Sequence, residues 1–159
     1  MQGNDALPLV EMATILGWQI TVIDGRRSHA SKQRFSKAHK IVVGKPAEAI
    51  KQVAIDERTV FVLMTHNYNY DLAMLQVLLE TKCRYIGTLG PKKRLSRMLT
   101  ELEEQGQVIT SEQKGVYLRS HRLSTLGAEA AEEIALSILA EIKAVLSMRQ
   151  ECISARKTW

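Results

Sequence analysis

The feature that most constrains this chain is an alternation along its length. Short runs of β-branched and other apolar residues recur between longer stretches whose apolar residues return every three or four positions. Ile20-Thr21-Val22-Ile23-Asp24, Lys40-Ile41-Val42-Val43, Thr59 to Met64 and Arg84 to Gly87 read as strands, with Val116-Tyr117-Leu118 as a last short one. Thr59 to Met64 is almost wholly apolar, as expected of a strand covered on both faces. Between them, Ala6, Leu9, Val10, Ala13 and Leu16 keep a helical rhythm, with Asn4 or Asp5 as its cap, Pro8 in the first turn and Gly17 at its end. Leu72 to Leu79 predicts a second helix, and Leu95, Met98, Leu99 and Leu102 a third. The clearest helix holds Ala131, Ile134, Ala135, Ile138, Ile142, Val145 and Leu146 on one face for about five turns, with Glu129, Glu132 and Glu133 at its start.

Strands alternating with helices of this length imply an α/β fold: a three-layer, Rossmann-like domain with a mostly parallel sheet covered on both sides. The expected domain is 1–146, followed by a polar tail over 147–159. The first strand of such a fold is missing from the pattern, because the first helix begins within a few residues of Met1.

Composition narrows the function classes. Of 159 residues, 45% are hydrophobic and 25% charged, the balance of an ordinary globular domain. No apolar run approaches the roughly 18 residues that span a bilayer, and the N-terminus lacks a signal-peptide pattern. Cys83 and Cys152 are far apart with no companion at metal-binding spacing, so a reducing cytoplasm is expected. The net charge of +5 favours an anionic partner. Nucleic acid is disfavoured, because aromatics are only 5% and are not interleaved with the basic clusters.

Ligands of parallel α/β sheets bind beyond the carboxyl ends of the strands, and distinctive residues fall at four such ends. Gly3-Asn4-Asp5-Ala6 holds the second and third positions of a G-x-G-x-x-G/A fingerprint, and Asp24 ends a strand at the spacing of a ribose-binding acid. Met1 stands where the first glycine belongs; a capped surface helix explains the same residues. Asp24 suits an unphosphorylated ribose, whereas Arg26 and Arg27 suit a 2′-phosphate, so both NAD and NADP stay open, as does a solvated turn. Thr65 and His66 leave the most buried strand, where they could hold a phosphate or transfer a proton, with Asp71 as cap of the next helix. Gly87-Thr88-Leu89-Gly90-Pro91 leads into a helix that opens with Lys92, Lys93, Arg94 and Arg97. Cations oppose the dipole there, so either an anion is received or the face is simply basic and solvated. No P-loop, G-x-S-x-G elbow or H-E-x-x-H is present.

Taken together, Gly3 to Leu9, Leu16-Gly17-Trp18, Asp24-Gly25-Arg26, Met64-Thr65-His66, Tyr85 to Gly90, and Gly127-Ala128-Glu129 running on to Ile142 resemble the C-terminal Rossmann domain of the xanthine dehydrogenase accessory proteins, the XdhC/CoxI family. The resemblance spans residues 3 to about 146. It implies a maturation factor, often dimeric, that binds molybdenum cofactor (molybdopterin), assists its sulfuration and delivers it to xanthine dehydrogenase or a related molybdenum hydroxylase. Gly3, Asp24, Thr65, His66, Gly87 and Gly90 match family ligand positions, and the residues themselves add Asn4, Asp5, Arg26, Lys92 and Arg94. The implied role is delivery rather than turnover, with an NAD(P)-dependent oxidoreductase and a ligand-free scaffold as the competing readings. His121 to Thr125 replace the family's Pro-x-Gly-Leu-Asp run, and Pro91 replaces a small hydroxyl residue.

Overall fold

The computed structural model describes residues 6–83, 85–114, 118–121 and 130–156, and of 118–121 and 149–156 only the backbone. Its elements run α1 (Ala6–Ile15), β1 (Thr21–Asp24), β2 (Lys40–Val43), α2 (Pro46–Ile50), β3 (Phe61–Leu63), α3 (Tyr68–Leu78), β4 (Ile86–Leu89), α4 (Lys92–Glu104), β5 (Leu118–His121) and α5 (Ala131–Arg156). The expected alternation is therefore present, and every strand pairing among the described residues is parallel.

Local chemistry explains the boundaries. α1 stops where Gly17 takes φ 78°, a left-handed conformation that costs glycine little. The Gly17 amide donates to the Thr14 carbonyl at 3.0 Å and the Trp18 amide to Ala13 at 3.1 Å, the paired bonds of a Schellman stop. α3 is capped by Asn67, whose side chain accepts from the Tyr70 amide. The expected cap, Asp71, is instead fully buried within the first turn. Several sequence boundaries shift. The strand expected over 84–87 lies at Ile86–Leu89, because Cys83 and Tyr85 are used as packing residues before the ladder begins. The last strand is Leu118–His121, and residues 116 and 117 fall outside the described residues. α2, a single short helix opened by Pro46, has too few turns to show a periodicity. α5 continues ten residues past Leu146, the end of the apolar stripe.

Among the described residues the strands form two sheets: β1 pairs with β2, and β3, β4 and β5 form a three-stranded sheet in that order. The orders β2-β1 and β3-β4-β5 match the two outer runs of the doubly wound arrangement. Alternation along β1 and β3 fixes the layers. Val22 packs with Val10, Phe35 and Ala38 beside α1, whereas Ile23 packs towards α3. Val60, Val62 and Met64 face α5 and Leu9 of α1, and Phe61 and Leu63 face the α3–α4 core. In that core Leu75, Leu78, Met98 and Leu102 are completely buried, each contributing roughly 1.5–3 kcal/mol by leaving water.

Candidate functional site

Parallel strands bring their carboxyl ends to one rim, and the side chains found there interlock. Asp24 ends β1 and is nearly buried. The Arg26 guanidinium reaches back to it, Nε to Oδ1 at 3.1 Å and Nη2 to Oδ2 at 3.2 Å. The same Nη2 donates to the Thr65 carbonyl at 3.1 Å, so one arginine ties the end of β1 to the end of β3. Bonding to Asp24 raises the Arg26 pKa beyond its already high ordinary value, and it stays charged.

A second knot lies between β3 and α4. Asp71, without any exposed surface, accepts from the Thr65 hydroxyl at 2.6 Å and from Arg94 Nη2 at 3.0 Å. A buried carboxylate is tolerable only when paired and hydrogen-bonded, and Thr65 and Arg94 supply both conditions. Arg94 also lies 5.8 Å from the centre of the Tyr68 ring, with Arg97 on the same ring at 4.8 Å. Burial, then the bond to Glu101, raises the Tyr68 phenol above its ordinary pKa.

Tyr70 ties β1 and β2 to α3. Its hydroxyl donates to the Gly44 carbonyl at 2.8 Å, and its ring sits where a side chain on Gly25 would be, 2.9 Å from an added Cβ. Burial, with the Asp24 and Asp71 charges adding to it, pushes the Tyr70 phenol up to about 12.

The sequence-derived site residues now separate. Asp24 and Thr65 border an apolar cavity of about 240 Å³ that continues between β1 and β3. His66, Gly90 and Arg94 border a second pocket of about 210 Å³ at the ends of β3 and β4, with Met64 shared by both. His66 is exposed with φ 61°, a conformation seldom adopted outside glycine, asparagine, aspartate and histidine. Gly90 has φ 136°, and an added Cβ would touch the Arg94 side chain at 3.4 Å. Gly87 is placed inside β4 between Val62 and Arg119, short of the rim. Lys92 and Lys93 are exposed on the first turn of α4 and line neither pocket. Gly3, Asn4 and Asp5 lie outside the described residues.

Arg26, expected to suit a 2′-phosphate, bonds through Nε and Nη2 to Asp24 and the Thr65 carbonyl, so the acid and the cation of that expectation are paired with each other. The cations opening α4 do not act as one cluster: Arg94 turns inward to Asp71, and Arg97 lies 3.8 Å from Glu101. The pivot that sequence reading missed is Asp71. Asn67, an equally good cap four residues earlier, takes the cap position and leaves Asp71 without a capping role.

The parallel order, the helices on both faces and the rim at the strand ends define a Rossmann-like α/β domain. Residues 1–142 match the family model described as the XdhC Rossmann domain, and the chain belongs to that family. It is 29% identical over 144 residues to a probable xanthine dehydrogenase subunit from Bacillus subtilis, covering 88% of this chain and 39% of that protein. It is 33% identical over 106 residues to the molybdenum cofactor insertion chaperone PaoD of Escherichia coli, covering 67% of this chain and 32% of the chaperone. The crystal structure of a xanthine dehydrogenase from Bacillus halodurans superposes with a TM-score of 0.74 at 31% identity, over 96% of this chain and 44% of that one. The chain thus spans less than half the length of these relatives.

Proposed function

We propose that this domain belongs to a cytoplasmic accessory factor that binds molybdenum cofactor and serves a xanthine dehydrogenase-type molybdenum hydroxylase. The observation that carries the reading is the pocket bordered by His66, Gly90 and Arg94, in a chain whose relatives include a molybdenum cofactor insertion chaperone. The donor set suits the phosphate and pterin edge of molybdopterin. A guanidinium has five N–H donors, and the bond to Asp71 uses one of them, leaving a fixed fork beside the pocket. Gly90 lets a ligand approach the backbone, and the His66 imidazole adds a polar edge. Cys83 is buried against the Thr59 and Tyr85 carbonyls, so it takes no part at the pocket. The Arg94–Asp71 and Arg26–Asp24 pairs are formally neutral, so recognition rests on hydrogen-bond geometry, with Lys92 and Lys93 adding attraction from outside. The cofactor, when bound, supplies the molybdenum–dithiolene chemistry of the client enzyme; the residues of this chain bind and orient it.

Thermal unfolding of the purified chain under anaerobic titration with molybdopterin, NAD and NADP tests the reading. Molybdopterin at a hundredfold excess over its dissociation constant should add about 2.7 kcal/mol of stability. Arg94→Lys, which keeps charge but loses the fork, and His66→Asn, which tolerates the same backbone, should each weaken binding by about tenfold. Stabilisation by NAD or NADP without molybdopterin, or by none of the three, would sink the proposal.

A further inference from the structure

The pocket at the ends of β3 and β4 contains a strained backbone whose supports lie outside it. Its polar lining is His66 and Arg94, with Gly90 beside them, and Arg26, Thr65 and Asp71 do not border it. His66 has φ 61°, in the left-handed region that crowds the Cβ of every residue but glycine. Such a conformation persists only where the surrounding structure holds it, and it clusters at binding sites.

Thr65 is held from both sides. Its carbonyl, the oxygen of the Thr65–His66 peptide, accepts from Arg26 Nη2 at 3.1 Å. That nitrogen has two hydrogens, and its other bond, 3.2 Å to Asp24 Oδ2, fixes the guanidinium against the end of β1. The Thr65 hydroxyl donates to Asp71 Oδ1 at 2.6 Å and accepts from the Asn67 amide at 3.2 Å. Asn67 in turn caps α3 by accepting from the Tyr70 amide. Both chain neighbours of His66 are therefore anchored, and the turn from β3 into α3 falls on His66. Rotating the Thr65–His66 peptide plane changes the Thr65 ψ and the His66 φ together, so the Arg26 bond to that carbonyl acts directly on the strained angle. Asp71 passes the constraint to the other lining group, because its second oxygen, Oδ2, accepts from Arg94 Nη2 at 3.0 Å. Asp71 has no exposed surface, so water cannot take the place of either donor.

We propose that Arg26, Thr65 and Asp71 are positioning residues of this pocket, holding the His66 backbone and the Arg94 fork in the arrangement a ligand meets without touching the ligand themselves. The inference rests on the reading of the pocket as the cofactor site, and it makes affinity there depend on an ion pair at the end of β1. Without the Arg26 bond, His66 spends most of its time outside the left-handed region, and apparent affinity falls with the fraction of chains that keep it.

The test is Asp24→Asn combined with Arg26→Met in the 159-residue chain, which removes the bond to the Thr65 carbonyl and leaves the net charge unchanged. In anaerobic titration, molybdopterin should bind this variant about tenfold more weakly than the natural chain. On a His66→Gly background the same pair of substitutions should cost less than about twofold, because glycine takes a positive φ without strain. A role in folding, or in attracting an anion, predicts equal losses in both backgrounds, and that result would overturn the proposal. Asp71→Asn leaves Arg94 without its counter-charge, yet it should weaken binding by about fivefold or more. Tighter binding would show that Asp71 only neutralises the arginine, and would overturn its positioning role. A readout without ligand separates this inference from the cofactor reading. The Cα and Cβ chemical shifts of His66 should report a left-handed backbone in the natural chain and lose that signature in the Asp24→Asn, Arg26→Met variant. Unchanged shifts would overturn the proposal even if binding falls. If molybdopterin fails to bind the natural chain, the cofactor reading is wrong, and the shifts still decide whether Arg26 holds His66.

Discussion

The two halves of the sheet are built from similar strands yet are packed very differently. Around β3 and β4, side chains from both faces close completely: Leu75, Leu78, Tyr85, Ile86, Met98, Leu102 and Ile138 are at or below 1% exposed. Around β1 and β2 the buried side chains are mostly smaller, Val10, Ala13, Ala30, Phe35, Ala38 and Val42, and the crossover from β1 to β2 is a loop without a helix. Val43 of β2 and Ile15 at the end of α1 are exposed. What joins this half to the other at the rim is polar: Arg26 reaching Thr65 and Tyr70 reaching Gly44. One half is held by a closed core; the other joins it through Leu9 against α5 and Ile23 against the α3 core, and through polar bonds at the end where the site lies.

The largest expected effect tests that contrast with one substitution in each half. Leu75→Ala removes a fully buried side chain from the closed core and should cost about 3–4 kcal/mol in urea unfolding. Leu9→Ala removes the same atoms beside a cavity that is already open, and should cost about 1 kcal/mol. Equal costs would mean that the β1 half is as tightly filled as the β3 half and that the contrast is wrong.

A smaller effect is expected at the tether. An alanine at position 25 would place its Cβ 2.9 Å from Tyr70 Cε2 and 3.3 Å from Cδ2. The ring cannot swing away without giving up the bond to the Gly44 carbonyl, so Gly25→Ala should cost about 1–3 kcal/mol. Adding Tyr70→Leu should make the two costs less than additive, because the clash disappears with the ring. Full additivity in the double-mutant cycle would show that Gly25 and Tyr70 do not meet.

These contacts also show what the sequence could and could not reveal. The β-branched run ending at Asp24, the apolar run before Thr65 and the five-turn stripe of α5 are governed by local periodicity, and each became the element expected. The site was less legible. Thr65, His66, Gly90 and Arg94 were recognised as rim residues, but their partners are set by tertiary contacts 6 to 39 positions away, which no spacing rule records. Asp71 is the clearest instance: the same acid reads as a cap in one dimension and as a buried pivot in three. Arg26 and Arg94 looked like free cations because sequence shows charge without showing what neutralises it.

The smallest effect sharpens the account of the tether by titrating it. In the fold, the Tyr70 phenol is pushed from its ordinary 10 up to about 12, chiefly by burial and further by Asp24 and Asp71. A raised folded value means that the native state holds the phenolic proton more tightly than the unfolded chain does. Between pH 10 and 12 the unfolded state therefore binds fewer protons, and stability falls as pH rises. The contribution of Tyr70 is intact below pH 10 and is lost as pH passes through 12. Lysines titrate in the same window, so the informative quantity is the difference between the natural chain and Tyr70→Phe. At about pH 8 the phenylalanine variant should be less stable by about 1 kcal/mol, having lost the bond to Gly44. That difference should shrink from pH 10 upward and change sign before 12, because a shift of this size outweighs the one bond, as read from urea midpoints. A constant difference across the window would mean that the phenol is solvated, and that Arg26 alone holds the two sheets together at the rim.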